Sequence, residues 1–170
     1  MEHTKLEAFM VIGISTRTTN ENHQAATDIG ALWNKFMSEG ILQKIPNKID
    51  DAIYSIYTEY EGDYTKPYTT ILGCKVQNTE TIPEGMVALN IQASDYEKIT
   101  AKGDLQEGIV YKKWLEIWNM DLDRAYQADF EIYDAKAQNP EDAEVCIYVG
   151  VKEEYYHHKL TLKDYRDRAG

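Results

Sequence analysis

The sequence predicts an α+β fold: two copies of a β-α-β-β unit related by pseudo-twofold symmetry, forming an antiparallel sheet with two long helices on one face and a ligand groove on the other. Three observations predict it. Strand-, helix-, strand- and strand-like patterns begin near residues 8, 27, 52 and 68 and again near 86, 105, 127 and 144, at an offset of roughly 75 to 78 residues. Each copy carries one apolar helical stripe, enough to cover one sheet face and leave the other open. The last two strands, Asp129–Asp134 and Glu144–Val151, alternate unequally, with acids interleaved among rings.

Ala8–Thr16 is apolar and β-branched and reads as a buried strand, followed by a polar loop over Arg17–Gln24. Ile29, Leu32, Trp33, Phe36 and Met37 recur at spacings that make one stripe on a helix, with Thr27 or Asp28 as its cap. Gly40 weakens the helix end and Pro46 stops it. Asp51–Tyr60 and Tyr68–Val76 read as a hairpin around Glu61–Pro67, and Gly73 marks a bulge or a close approach of backbones. After the linker Gln77–Pro83, Met86–Ile91 is a strand and Asp95–Thr100 a short second one. Asp104 with Glu107 reads as a capping box for a helix whose apolar side is Val110, Trp114, Ile117 and Trp118, widened by Tyr111 and Leu115. Trp33 and Trp114 are expected in the core.

One domain over residues 1–154 is expected, with copies at about 5–77 and 83–153, followed by a tail over 155–170 that is partly ordered or forms a short helix from Thr161. The formal charge of -11, from 29 acidic against 18 basic residues, argues against a nucleic-acid surface. Two distant cysteines, no basic-apolar leader and no long apolar run point to a reduced, cytoplasmic protein that does not enter a membrane. No metal or cofactor is expected: the rings of His157 and His158 diverge in an extended segment, and Asp121-Leu122-Asp123 lacks the glycine and later acid of a calcium loop. The oligomeric state is not written in the sequence. The 13 tyrosines and three tryptophans against three phenylalanines suit wet pockets and interfaces, because these rings pair a large apolar body with a polar tip.

In the final strand pair, alternation places Phe130 and Ile132 with Val145, Ile147, Val149 and Val151 on one face, and Glu131, Tyr133, Glu144, Cys146 and Tyr148 on the other. The second face is either a solvated sheet surface or the lining of a pocket for an aromatic or cationic ligand.

Phe130-Glu131-Ile132-Tyr133-Asp134, Asn139-Pro140-Glu141-Asp142 and Glu144–Val151 resemble the end of the GyrI-like small-molecule-binding domains, also called bacterial transcription-activator effector-binding domains. Ile82–Met86, Asp95-Tyr96 through Lys102-Gly103, and Trp114–Trp118 resemble that family's middle section, so the resemblance covers about residues 5 to 153. It implies a pocket between the two copies that binds hydrophobic, often cationic molecules. It also implies Glu131 as the acid at its base, Glu144 as a second acid, and Tyr133 and Cys146 as lining residues; Tyr148, Tyr57 and Tyr68 complete the candidate ligand-binding set. Regulators of this family carry a helix-turn-helix before the pocket domain. Only about seven residues precede the first expected strand here, so a stand-alone pocket acting through a partner, without direct DNA contact, is expected. Two alternatives accompany this reading. One is a hydrolase of strained electrophiles using Glu131 as general base with a tyrosine hydroxyl as donor; the other is a protein–protein adaptor using Tyr155-Tyr156.

Overall fold

The computed structural model describes residues 1–153; the tail, with Tyr155, Tyr156, His157, His158 and the helix expected from Thr161, lies outside the described residues. The elements are β1 (Glu2–Leu6), β2 (Phe9–Thr18), α1 (Gln24–Ser38), the single turn α2 (Ile41–Lys44), β3 (Ile53–Thr58), β4 (Tyr68–Val76), β5 (Val87–Ile91), β6 (Ser94–Gly103), α3 (Ile109–Trp118), β7 (Ala128–Tyr133) and β8 (Ala143–Val151). All eight strands form one antiparallel sheet in the order β1-β6-β8-β7-β3-β4-β2-β5. Exchanging β1 to β4 with β5 to β8 reverses that order onto itself, so the topology has a twofold axis between β3 and β7.

The repeating unit contains one strand more than the sequence reading. β1 holds a single strongly apolar residue, Leu6, and pairs at the sheet edge, so it lacks the hydrophobic alternation that announces a half-buried strand. Once β1 is counted, its counterpart is β5 and the counterpart of β2 is β6, both displaced by 85 residues, as are the first residues of α1 and α3. The displacement falls to 75 between β4 and β8, because α1 is five residues longer than α3 and the connection containing α2 is five residues longer than its counterpart. The uniform offset is therefore corrected: matching the apolar β2 to the apolar β5 skipped one strand.

The first strand of each copy is exchanged. β1 pairs with β6 of the second copy, and β5 pairs with β2 of the first. Two residues join β1 to β2 and two join β5 to β6, although each pair is separated by six strand positions. Six spacings in a flat sheet are on the order of 29 Å, whereas the link from Leu6 to Phe9 spans at most about 11 Å. The sheet must therefore roll until its edges approach. The face that becomes the inside is filled by Val11, Tyr54, Ile56, Ile71, Ile91, Tyr96 and Phe130, drawn from both halves. Packed side chains fill that face, and the expectation of a ligand groove opposite the helices is overturned: the cavity of about 550 Å³ is on the helix face.

α1 covers β2 and β4, with Leu32 and Phe36 against Ile12, Ile14, Leu72, Cys74 and Val76. α3 covers β6 and β8, with Trp114 and Ile117 against Ile99, Ala101, Ile147 and Val149. Both helices start differently from the sequence reading. α1 begins at Gln24 behind His23, whose φ is 57°, so Thr27 and Asp28 are already helical; the Asp28 carboxylate instead accepts from Thr18 Oγ1 at 2.9 Å. Asp104 caps a short 3-10 turn through the Gln106 amide, and α3 starts only after Gly108 at φ 71°. Gly13 and Gly73 face each other across β2 and β4, where an added Cβ would lie 2.0 and 2.2 Å from the carbonyl oxygens of Leu72 and Ile12. Of the two roles open to Gly73, the close approach of backbones is the one observed.

Candidate functional site

With one helix over each flank, the helix-side surface of the central strands β3 and β7 is left as the floor of a cavity of about 550 Å³. Tyr57 of β3, Tyr68 of β4, and Glu131 and Tyr133 of β7 rise from this floor. Ala25, Ile29 and Trp33 of α1 form one wall, and Val110, Trp114 and Trp118 of α3 the other. The cavity straddles the pseudo-twofold axis. At the 85-residue displacement Trp33 corresponds to Trp118 and Ile29 to Trp114. On the floor, Ser55 and Glu131 are register partners, and Tyr57 and Tyr133 each lie two residues beyond them.

Glu131 is the group that breaks this symmetry. It is 2 % exposed. The Tyr57 hydroxyl donates to Oε2 at 2.5 Å, the Trp114 indole N–H to the same oxygen at 2.8 Å, and the Tyr133 hydroxyl to Oε1 at 2.6 Å. Ser55 Oγ donates in turn to the Tyr57 oxygen at 3.3 Å. Burial pushes the Glu131 carboxyl above its ordinary value, and the three donors oppose that shift without cancelling it. Burial and the adjacent carboxylate push the hydroxyls of Tyr57 and Tyr133 far up and that of Tyr68 to about 12, so all three stay protonated. Among the described residues no Lys, Arg or His forms an ion pair with Glu131, so its carboxyl is held by neutral groups alone.

A second buried acid stands two residues away on the same face. Asp129 is fully buried; its Oδ2 accepts from Arg124 Nη2 at 2.7 Å and from the Tyr60 hydroxyl at 2.5 Å, and its Oδ1 from the Gly150 amide at 2.7 Å. The Arg124 guanidinium lies 5.7 Å from the Trp114 ring and 4.3 Å from that of Tyr126. At the mouth, Tyr64 stacks on Trp118 at 5.1 Å, and Asn20 holds the loop by donating to the Tyr64 carbonyl at 2.8 Å while accepting from the Tyr68 hydroxyl at 2.6 Å.

Of the residues singled out from the sequence, Glu131, Tyr133, Tyr57 and Tyr68 meet in this cavity. Glu144, Cys146 and Tyr148 do not. In the β7–β8 register Ile147 is opposite Glu131, Cys146 opposite Ile132 and Tyr148 opposite Phe130, so these three side chains project to the other face. There Tyr148 stacks on Phe130 at 5.0 Å, and Cys146 Sγ lies 3.9 Å from Lys136 Nζ. Alternation sorts side chains within a strand, but the register to the neighbouring strand is set by the connection, and a slip of one residue exchanges the faces. Trp33 and Trp114 pack in the core as expected and also line the cavity. Tyr60, Tyr64, Trp118, Arg124 and Asp129 were missed; the surplus of Tyr and Trp was the signal for the rings, and the shared parity of Asp129 with Glu131 the signal for the second acid.

Among the described residues no cluster of His, Cys, Asp and Glu could hold a metal ion, and no helix is long and apolar enough to cross a membrane. The assembled groups amount to a ring-lined recess with one unpaired acid at its base.

Comparisons with known proteins agree on the fold. Residues 4–151 match the family described as Cass2, integron-associated effector binding protein. A Bacillus subtilis (strain 168) protein, YobU, provisionally named a transcriptional regulator, is 30% identical over 153 residues, covering 88% of this chain and 96% of YobU. The crystal structure of the integron cassette protein VCH_CASS2 from Vibrio cholerae superposes with a TM-score of 0.69 at 28% identity, covering 89% of this chain and 95% of that one. The structure of SAV2435 bound to tetraphenylphosphonium superposes with a TM-score of 0.76 at 19% identity, covering 93% and 97% of the two chains.

Proposed function

This chain belongs to the family of integron-associated effector-binding proteins, within the GyrI-like superfamily, and from that premise we propose that its effector is an aromatic cation, received by Glu131 and enclosed by the rings of the central cavity. The observation that carries the reading is the unpaired, buried carboxylate of Glu131 at the floor of a cavity walled by Trp33, Trp114, Trp118 and several tyrosines. Burying that charge without a cationic partner is costly, and an arriving cation supplies the missing partner. Ring faces add attraction for the same cation, on the order of 0.5 to 2 kcal/mol per well-placed ring. That SAV2435 shares this fold and is seen with tetraphenylphosphonium, a bulky aromatic cation, supports the same class of ligand here.

Calorimetric titration of tetraphenylphosphonium against wild type and Glu131→Gln tests the proposal. A large loss of affinity in the variant is expected; equal affinity in the two proteins would sink it.

We read the bound state as a regulatory signal passed to a partner, in keeping with the provisional name of YobU and with a net charge of -11 that disfavours direct contact with DNA. Affinity capture from the native host with and without tetraphenylphosphonium tests that part, and a ligand-independent set of captured proteins would count against it.

A further inference from the structure

The Arg124 guanidinium lines the same cavity, and its side chain is only 5 % exposed. A guanidinium presents five N–H donors in a fixed plane. Nη2 donates to Asp129, whereas Nε and Nη1 are buried with no hydrogen-bond partner among the described residues. The faces of the group are occupied: Trp114 stands at 5.7 Å and Tyr126 at 4.3 Å. The N–H groups of Nε and Nη1, which lie in the plane on either side of the Nη2 given to Asp129, are therefore the unspent donors of the group. A buried, charged donor without an acceptor is costly, and such groups are few in folded proteins.

Arg124 is also placed at a definite distance from the acid. Asp129, which holds it, and Glu131 are two residues apart on one face of β7, roughly 6.7 Å along the strand. Trp114 bridges the two: its indole N–H donates to Glu131, and its ring lies beside the guanidinium. The charge of Arg124 is already balanced by Asp129. A neutral acceptor therefore suits these donors better than a second anion, which would also meet Glu131. Tyr126, held at a backbone φ of 52°, covers one face of the group and leaves its in-plane donors uncovered by that ring.

From this geometry we infer that the cavity has a second recognition point: Arg124 accepts as ligands those aromatic cations that carry a hydrogen-bond acceptor, such as a ketone, ester or ether oxygen, one ring away from the positive centre. This rests on the reading of Glu131 as the cation's partner and narrows the ligand class.

The test uses two cations of the same charge and shape that differ in one acceptor, (4-acetylphenyl)triphenylphosphonium and (4-isopropenylphenyl)triphenylphosphonium, with tetraphenylphosphonium as reference. Wild type is expected to prefer the acetyl compound by about tenfold. In Arg124→Lys, which keeps a positive charge beside Asp129 but loses the planar fork, the ratio of the two affinities is expected to fall towards one. Equal affinities in wild type, with tetraphenylphosphonium still bound, would overturn the assignment of Arg124 alone and would mean that ordered water satisfies its donors. Failure of all three cations to bind would overturn the reading of Glu131 as well. The wild-type ratio decides the matter even where Arg124→Lys does not fold.

Discussion

Asp129 and Glu131 are two buried acids on one face of one strand, and they are satisfied in opposite ways. Asp129 has a guanidinium, a hydroxyl and a backbone amide, so its charge is neutralised and its neighbours depend on it. Glu131 has two phenols and an indole, which hydrogen-bond it but bring no charge. The hydrogen-bond count is three in each case, so the difference lies in formal charge: one acid is closed and the other is held open. Removing the closed acid should therefore damage the fold, and removing the open one should damage binding.

The largest expected effect is on the closed side. Asp129→Asn leaves Arg124 buried without its counterion and should lower stability by about 3–5 kcal/mol, read as a fall in the urea midpoint. A variant as stable as wild type would erase the contrast. Next comes Glu131→Gln, which should cost about 2–5 kcal/mol of tetraphenylphosphonium affinity while moving stability by no more than about 1 kcal/mol, because a neutral group replaces a charge that had no partner.

Smaller effects sharpen the account of how Glu131 is tuned. Tyr133→Phe removes one of the donors that hold the carboxyl pKa down, so that pKa should rise further and affinity at neutral pH should drop roughly tenfold. The pH dependence follows from the same shift. Because the folded-state pKa of Glu131 lies above its ordinary value, its contribution to apo stability is fully present below the unfolded pKa and is lost as pH rises through the folded one. Affinity for a cation should run the other way, strengthening over that window as the carboxylate forms. Titrations at several pH values should show this slope in wild type, displaced to higher pH in Tyr133→Phe and flat in Glu131→Gln. The smallest effect is at the mouth: Trp118→Leu removes the stack with Tyr64 and should weaken binding by about 0.5–1.5 kcal/mol.

The α+β class, both long helices and most strands were legible because each buries a periodic apolar face. β1 was not, since an edge strand with one apolar residue gives no such pattern, and missing it hid both the exchanged pairing and the roll of the sheet. The site was half legible. Tyr57, Glu131 and Tyr133 have the parity of their own strands, which the sequence displays. Whether Cys146 or Ile147 faces the same way as Glu131 depends on the β7–β8 register, and that is set by the connection from Asp134 to Asp142 and its two short 3-10 turns, which no alternation encodes. Arg124 lies outside the named strands, in an isolated bridge to Val151, and becomes visible only when Asp129 is seen to hold it.

The exchanged first strands have a consequence for how this cavity can arise. A half-length chain could rebuild the sheet only as an intertwined homodimer, each subunit lending its leading strand to the other. Such a homodimer would place two copies of one residue opposite each other at the axis, where Ser55 now faces Glu131. It could offer a pair of serines, with no charge for a cation, or a pair of glutamates repelling across the gap. A single acid beneath a symmetric set of rings is available only to a chain whose halves are covalently joined and free to differ.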